Sequence, residues 1–337
     1  MQNLLLPDST FQRLKYRLSD FTDDVHAVRM CADGSLMVGD DTVTADQYPI
    51  HLAWLSIDLF RENIAAKFIE CLSQAPQLEW MQTISAGLDS PFFKQSIERG
   101  VRLCNSDAQA PPIAEYVVAS VLYRYQNFER RMEFQRSHHW NSTDFREIYA
   151  SNWLIVGFGN IGSRVGRMVR GFEGDVTGVK RSPTSHADAD RIITFGDLLD
   201  AVPAADVVVL ACALTEDTSG LVDQSFLDAM KSGAILVNIA RGRVVDESAL
   251  LQALDGDRLD CAILDVFQRE PLPSDSKLWD HPKVLLTPHA SSRGKGTADR
   301  WVELFLRNLT AYLSDEPLHC EVELSFFSSL GSSLGSE

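Results

Sequence analysis

One stretch limits the fold more than any other. "LIVGFGNIGSRVGRMVRG", residues 154–171, runs from an apolar segment through three glycines into a helical pattern. Gly157, Gly159 and Gly162 have G-x-G-x-x-G spacing, which is common by chance and gains meaning only from its surroundings. After a strand and before a helix, the first glycine allows a tight turn and the second lets backbone approach a pyrophosphate. The third allows the helix to pack on the strand. The N–H groups at the helix start, around Asn160 and Ile161, then face the phosphates of a dinucleotide.

The charge that follows is unusual. The next strand, "DVTGV", ends at Val179, and Lys180 and Arg181 stand roughly 20 residues beyond the first glycine. A carboxylate at that place accepts bonds from the adenosine ribose and repels a 2′-phosphate; Lys180, Arg181 and the hydroxyl of Ser182 would attract one. The expectation is NADP(H) as preferred cofactor, with NAD(H) the alternative. The bland reading is a solvated pair of cations at a loop.

Apolar runs alternate with helical patterns along most of the chain, which points to βαβ units and mostly parallel sheets. Candidate strands lie at 51–57, 80–85, 101–104, 153–157, 175–179, 206–212, 234–240, 259–266 and 283–287. The 337 residues exceed one ordinary core, so two domains are expected. "NSDAQAPPIAE" marks a first boundary, and 112–140 reads as one long helix. A second boundary falls near "PHASSRGKGTADR". Because the first hundred residues offer few elements, the helix in "TADRWVELFLRNLTAYL" is expected to return to them. Residues 1–109 and 291–337 then form a discontinuous substrate domain, with a dinucleotide-binding domain, 110–290, inserted.

Composition removes some functions. A formal charge of -16 argues against nucleic acid. No apolar run approaches the roughly 20 residues of a membrane span, and "MQNLLLPDSTFQRLKYR" lacks the form of a signal peptide; a soluble, cytoplasmic protein is expected. The six cysteines are scattered, without a C-x-x-C pair or histidines at metal spacing, so no metal is expected. The ending "SFFSSLGSSLGSE" reads as a flexible tail.

Three further apolar strands each end on polar residues: "AILVNIARG" on Arg241, "AILDVFQREP" on Asp265 and Glu270, and "VLLTPH" on His289. Ligands of open α/β sheets bind at the carboxyl ends of strands, so these residues can converge. Singly, each has a structural explanation, as a packed histidine, an ion pair or a turn residue. Together with "VGFGNIG", the runs "NIARGRVVDESALLQAL", "LDVFQREPLPSDSKLWDHPKV" and "TPH" resemble the D-isomer-specific 2-hydroxyacid dehydrogenases. The resemblance spans Asn152 to His289, with weaker similarity in "ISAGLDS" and "AEYVVASVL".

That resemblance implies an α/β fold of two doubly wound, Rossmann-like parallel-sheet domains, usually in a homodimer joined through the cofactor domain. It implies hydride transfer between a 2-hydroxy acid and its 2-oxo acid. Arg241 would hold the substrate carboxylate and carbonyl, and His289 would be the general acid and base. Glu270 would orient the imidazole, while Ala240 and Asp265 would lie at the cofactor. Backbone N–H groups at Ala86 and Gly87 would grip the substrate carboxylate. With the "KRS" end of the second strand, the chain looks most like NADPH-using glyoxylate and hydroxypyruvate reductases. The alternatives are a nucleotide-sensing, corepressor-like interaction protein and an NAD-dependent dehydrogenase for another substrate. Ser151-Asn152 departs from the family, which usually has a glycine-containing turn there.

Overall fold

The computed structural model describes residues 1–329. It divides into two compact units: Met1–Ala108 with the segment from Lys295 onward, and Gln109–Gly294.

The first unit holds seven strands, β1 Gln2–Pro7, β2 Val25–Met30, β3 Leu36–Val38, β4 Asp41–Val43, β5 Leu52–Leu55, β6 Trp80–Thr83 and β7 Arg102–Cys104. Their order is β4-β3-β2-β1-β5-β6-β7, parallel except for the β2–β3 and β3–β4 pairs. Four of these strands escape the sequence reading. In β1, Leu4, Leu5 and Leu6 are fully buried, because a central strand covered on both faces is apolar without alternation. An apolar run this short, next to Pro7, which lacks an N–H, shows no strand period. The three-residue strands β3 and β4 are joined at Gly39, whose φ of 59° suits a two-residue hairpin turn.

The first hundred residues therefore build a full sheet, contrary to the sequence expectation. The helix Thr297–Leu313 nevertheless belongs to this unit and covers one face. Phe305 stacks on Trp54 with ring centroids 4.3 Å apart, and the buried Asn308 donates to Gln82 Oε1 at 2.7 Å. The tail expected to be flexible begins with a short 3-10 turn, Leu324–Ser329, in which Phe327 is buried in the core. Its remaining residues, 330–337, lie outside the described residues.

The second unit holds β8 Asn152–Val156, β9 Asp175–Val179, β10 Arg191–Ile193, β11 Val207–Leu210, β12 Ala234–Asn238, β13 Leu259–Leu264 and β14 Val284–Leu286. All are parallel, in the order β10-β9-β8-β11-β12-β13-β14. The order reverses between β8 and β11, which opens a crevice at their carboxyl ends. Both faces are covered: Leu154, Val208 and Leu236 face one core, Ile155, Val209 and Val237 the other.

The long helix expected over 112–140 is two, Ala110–Tyr125 and Phe128–Arg136. Asn127 breaks it at φ 54°, a left-handed conformation that asparagine tolerates. Pro111 and Pro112 sit in the first turn, where a missing N–H costs nothing. Before β8, the positive φ that glycine would supply falls on Ala150, at 55°, while Ser151 Oγ donates to Ile148 O at 2.6 Å. Among the described residues, no helix is long and apolar enough to cross a membrane.

Candidate active site

The three glycines have three different surroundings. Gly157 has φ 95°, and a Cβ there would lie 2.4 Å from Cys212 N, in the backbone that follows β11. A Cβ on Gly162 would lie 2.3 Å from Gly157 O and 3.1 Å from Ile155 Cγ2, so the helix Asn160–Gly171 touches its strand there. Gly159, which caps that helix, would direct a Cβ into open space with nothing within 4 Å. A turn closed on two sides and open on the third leaves backbone accessible at a helix N-terminus, a cradle that fits a pyrophosphate. Asn160 is exposed beside it and Ile161 half-buried. Burial pushes the nearby Cys212 thiol up to about 12, which leaves it inert.

Lys180 leaves β9 half-buried, its N–H donating to Ile193 O at 3.0 Å, and Arg181 and Ser182 are exposed. Arg167 and Arg170, on the glycine-loop helix, are paired with Asp188 and Asp190. Among the described residues neither Lys180 nor Arg181 makes an ion pair, so their charge is not neutralised locally.

The polar residues that end β12, β13 and β14 are tied into one network. Asn238, at the end of β12 and 1% exposed, accepts Ala240 N–H at 3.1 Å and donates to Arg241 O at 3.0 Å. Its own carbonyl accepts Asp265 N–H at 3.0 Å. The Arg241 guanidinium donates to the carbonyl of the buried Ala240 at 2.7 Å. A Cβ on the next residue, Gly242, would stand 1.8 Å from Phe267 C. The loop carrying Arg241 thus lies directly on the loop carrying Glu270.

Glu270 Oε1 accepts Phe267 N–H at 3.0 Å, and Oε2 lies 2.8 Å from His289 Nδ1. The carboxylate is fixed at one oxygen and holds the imidazole with the other. Nδ1 is committed to Glu270, and Nε2 is the ring atom that can exchange a proton with a ligand. His289 sits at φ 48°, strained for a non-glycine residue. The buried Asp265 holds that turn: its side chain accepts from Thr287 Oγ1 at 2.6 Å, Ala290 N at 2.8 Å and Ser291 Oγ at 2.5 Å, and its carbonyl accepts His289 N–H at 2.8 Å. Tyr116 extends the network, its hydroxyl 2.9 Å from Thr287 Oγ1, and burial pushes that phenol up.

The sequence reading singled out Arg241, Asp265, Glu270 and His289 but missed Asn238, Gly242, Tyr116, Thr287 and Ser291. Asn238 had a signal, a polar residue closing an apolar run; Tyr116 lies on a different helix and had none. In the first unit, Ala86 and Gly87 follow β6 half-buried, with Ala86 O accepting Asn105 Nδ2–H at 3.0 Å.

Residues 118–291 match the family model described as D-isomer specific 2-hydroxyacid dehydrogenase, NAD binding domain. The chain belongs to that family. It is similar to the glyoxylate reductase of Thermococcus kodakarensis, with 32% identity over 73% of this chain and 77% of that protein. Its identity to the glyoxylate/hydroxypyruvate reductase A of Arabidopsis thaliana is 30%, over 74% of this chain and 80% of that one. Among solved structures, a D-isomer specific 2-hydroxyacid dehydrogenase family protein from Aeromonas salmonicida shares the fold with a TM-score of 0.76 and 28% identity, over 96% of this chain and 99% of that one. The chain is an oxidoreductase of this family, and both the fold class and the resemblance read from the sequence are borne out.

Proposed function

We propose that the protein reduces a small 2-oxo acid, of the glyoxylate or hydroxypyruvate kind, to the D-2-hydroxy acid, with NADPH preferred over NADH. The observation that carries the reading is the Glu270–His289 pair, 2.8 Å apart, beyond the carboxyl ends of β13 and β14, on the same edge of the parallel sheet as Arg241 and the glycine turn. The glyoxylate and hydroxypyruvate reductases among the relatives support the substrate class.

In this reading the turn Gly157–Gly162 and the helix start at Asn160 and Ile161 hold the pyrophosphate, and Ala240 and Asp265 border the nicotinamide end. Lys180, Arg181 and Ser182 hold the 2′-phosphate. Reduced nicotinamide supplies a hydride when bound. The guanidinium of Arg241 binds the substrate carboxylate and polarises the carbonyl, a task suited to several donors in one plane. His289 gives its Nε2 proton to the carbonyl oxygen as charge develops there, and takes it back in oxidation. Glu270 stabilises the imidazolium and fixes the ring's orientation. The reading includes a homodimer through the second unit, supported by the exposed Phe128, Met132, Trp140, Phe145 and Tyr149 in and after the helix Phe128–Arg136. Light scattering checks it.

The test is the loss of reduced-cofactor absorbance with glyoxylate, hydroxypyruvate, pyruvate and phenylpyruvate, using NADPH and NADH in parallel. Wild type should turn over a small oxo acid faster with NADPH. Lys180→Ala with Arg181→Ala should weaken NADPH by roughly ten- to hundredfold per cation, from about 1.5–3 kcal/mol for a hydrogen bond to a charged group, and leave NADH nearly unchanged. Equal losses for both cofactors would refute the phosphate site; no turnover with any oxo acid would refute the activity.

A further inference from the structure

The first unit gathers a donor set of its own. Asp107 lies just beyond β7, and His319 and Cys320 lie just beyond the helix Thr297–Leu313. His319 Nε2 stands 2.9 Å from Asp107 Oδ2. With Cys320, a carboxylate oxygen, an imidazole nitrogen and a sulfur all lie within 4.8 Å of one another. We propose that Asp107, His319 and Cys320 form a binding site for a borderline-soft divalent cation, zinc by its chemistry.

The donor types narrow the ion. One oxygen, one nitrogen and one sulfur suit zinc, whereas magnesium and calcium take oxygen donors. Three protein donors leave a fourth tetrahedral position for water. With bonds of roughly 2.0–2.3 Å, tetrahedral donors stand about 3.3–3.8 Å apart, so the 2.9 Å His319–Asp107 pair must open slightly while the sulfur, within 4.8 Å, closes in by up to about 1 Å. The side chains of His319 and Asp107 are 43% and 33% exposed and can rotate to do so. The ion takes the place of the proton between His319 and Asp107 and displaces the Cys320 thiol proton, so binding releases protons.

The backbone that delivers the donors is anchored on both sides. Asn308, in the helix, accepts His319 N–H at 2.9 Å and donates to His319 O at 2.9 Å. Cys320 O accepts Asn105 N–H at 3.0 Å. Glu321 pairs with Arg102 through two bonds, of 2.7 and 3.0 Å. Ser106 N–H, just before Asp107, donates to Ser85 O at 3.0 Å. The net charge of -16 favours cations generally. The neighbouring Cys104 does not compete: it is buried, its thiol is pushed up to about 12 by that burial, and its sulfur accepts Trp80 Nε1–H. Asp107 stands 212 residues from His319, so no linear spacing reveals the site.

The site would staple the segment after the last helix to the exit of β7. The probe is cobalt(II) as a spectroscopic substitute, then zinc, added to the reduced full chain. Wild type should take up about one ion with a thiolate-to-cobalt charge-transfer band and tetrahedral visible bands, and zinc should raise its unfolding temperature. Cys320→Ser should abolish the charge-transfer band and the thermal shift. Asp107→Asn, which keeps the shape of the side chain, should weaken binding at least tenfold with near-ultraviolet dichroism unchanged. A double Cys31→Ser, Cys71→Ser variant, which removes the partly exposed thiols elsewhere, should bind as wild type. Absence of the band in wild type, its survival in Cys320→Ser or its loss in the double variant would each overturn the proposal.

Discussion

Asp265→Asn tests whether the turn that carries His289 is held by a buried charge. Oδ1 of Asp265 accepts from Thr287 Oγ1, Ala290 N and Ser291 N at 2.6, 2.8 and 3.2 Å, and Oδ2 from Ser291 N and Oγ at 3.1 and 2.5 Å. Asparagine keeps an acceptor at one oxygen position and puts an N–H donor at the other, facing Ser291 N–H. Bonds to a charged acceptor contribute about 1.5–3 kcal/mol, neutral ones about 0.5–1.5 kcal/mol. Four donors are affected. Against that loss, the neutral amide no longer bears the cost of burying a charge at a residue 1% exposed. The balance is a destabilisation of about 2–4 kcal/mol, a large share of the roughly 5–15 kcal/mol that holds an ordinary domain. Urea unfolding should show a lower midpoint at unchanged slope. At a denaturant-free temperature where the variant is folded, kcat should fall more than KM rises, because the released turn misplaces His289. A midpoint within about 0.5 kcal/mol of wild type, the range of a neutral surface change, together with unchanged kcat, would refute the reasoning.

Three other outcomes follow from the geometry. Gly159→Ala should leave stability within about 0.5 kcal/mol yet weaken the reduced cofactor, whereas Gly157→Ala, with φ 95° and backbone 2.4 Å away, should unfold the second unit at a much lower temperature; thermal melts and cofactor titration separate them, and equal melts would contradict the assignment. His289→Asn should cut turnover by roughly 10²–10⁴-fold at little cost in stability, because asparagine relieves the positive φ and the half-exposed pair with Glu270 contributes only about 0–1 kcal/mol; marked unfolding would sink it. Asp58, 2% exposed, has its carboxyl held below the usual range: burial pushes it up, but bonds from Arg13, Thr10 and Arg61 outweigh burial. Its stabilisation is complete above the ordinary aspartate value near 4 and fades as pH falls through the lower folded value. Melts from pH 7 to 2 should therefore fall less steeply below pH about 4 for Asp58→Asn than for wild type; parallel curves would refute this.

Most of the second unit was legible because its strands repeat one device, an apolar run closed by a polar residue or a glycine, whereas β10 Arg191–Ile193, three residues at the sheet edge, escaped the reading. The first unit was harder. The apolar burst of β1 is only a few residues long and lies against a proline, and the strands of the β3–β4 hairpin have three residues each, too few to show a period. Of the site, the residues that bear charge or a titrating ring stood out. Their supports did not: Tyr116 and Gly242 act through contacts with residues far along the chain, and only coordinates show that Gly242 has no room for a methyl group.

The helix Thr297–Leu313 has a consequence for how the protein is made. It covers Trp54 and Trp80 on a sheet whose last strand ends at Cys104. Roughly 190 residues separate that strand from its cover, and at about 5–20 residues per second a ribosome needs on the order of 10–40 s to add them. For that interval the nascent first unit has only the helix Asp8–Leu18 on that face, and Trp54 and Trp80 lack the cover of Phe305. Such a face is what chaperones hold, so a chain halted before residue 297 should emerge as a chaperone client, while the second unit can complete its sheet as it is synthesised.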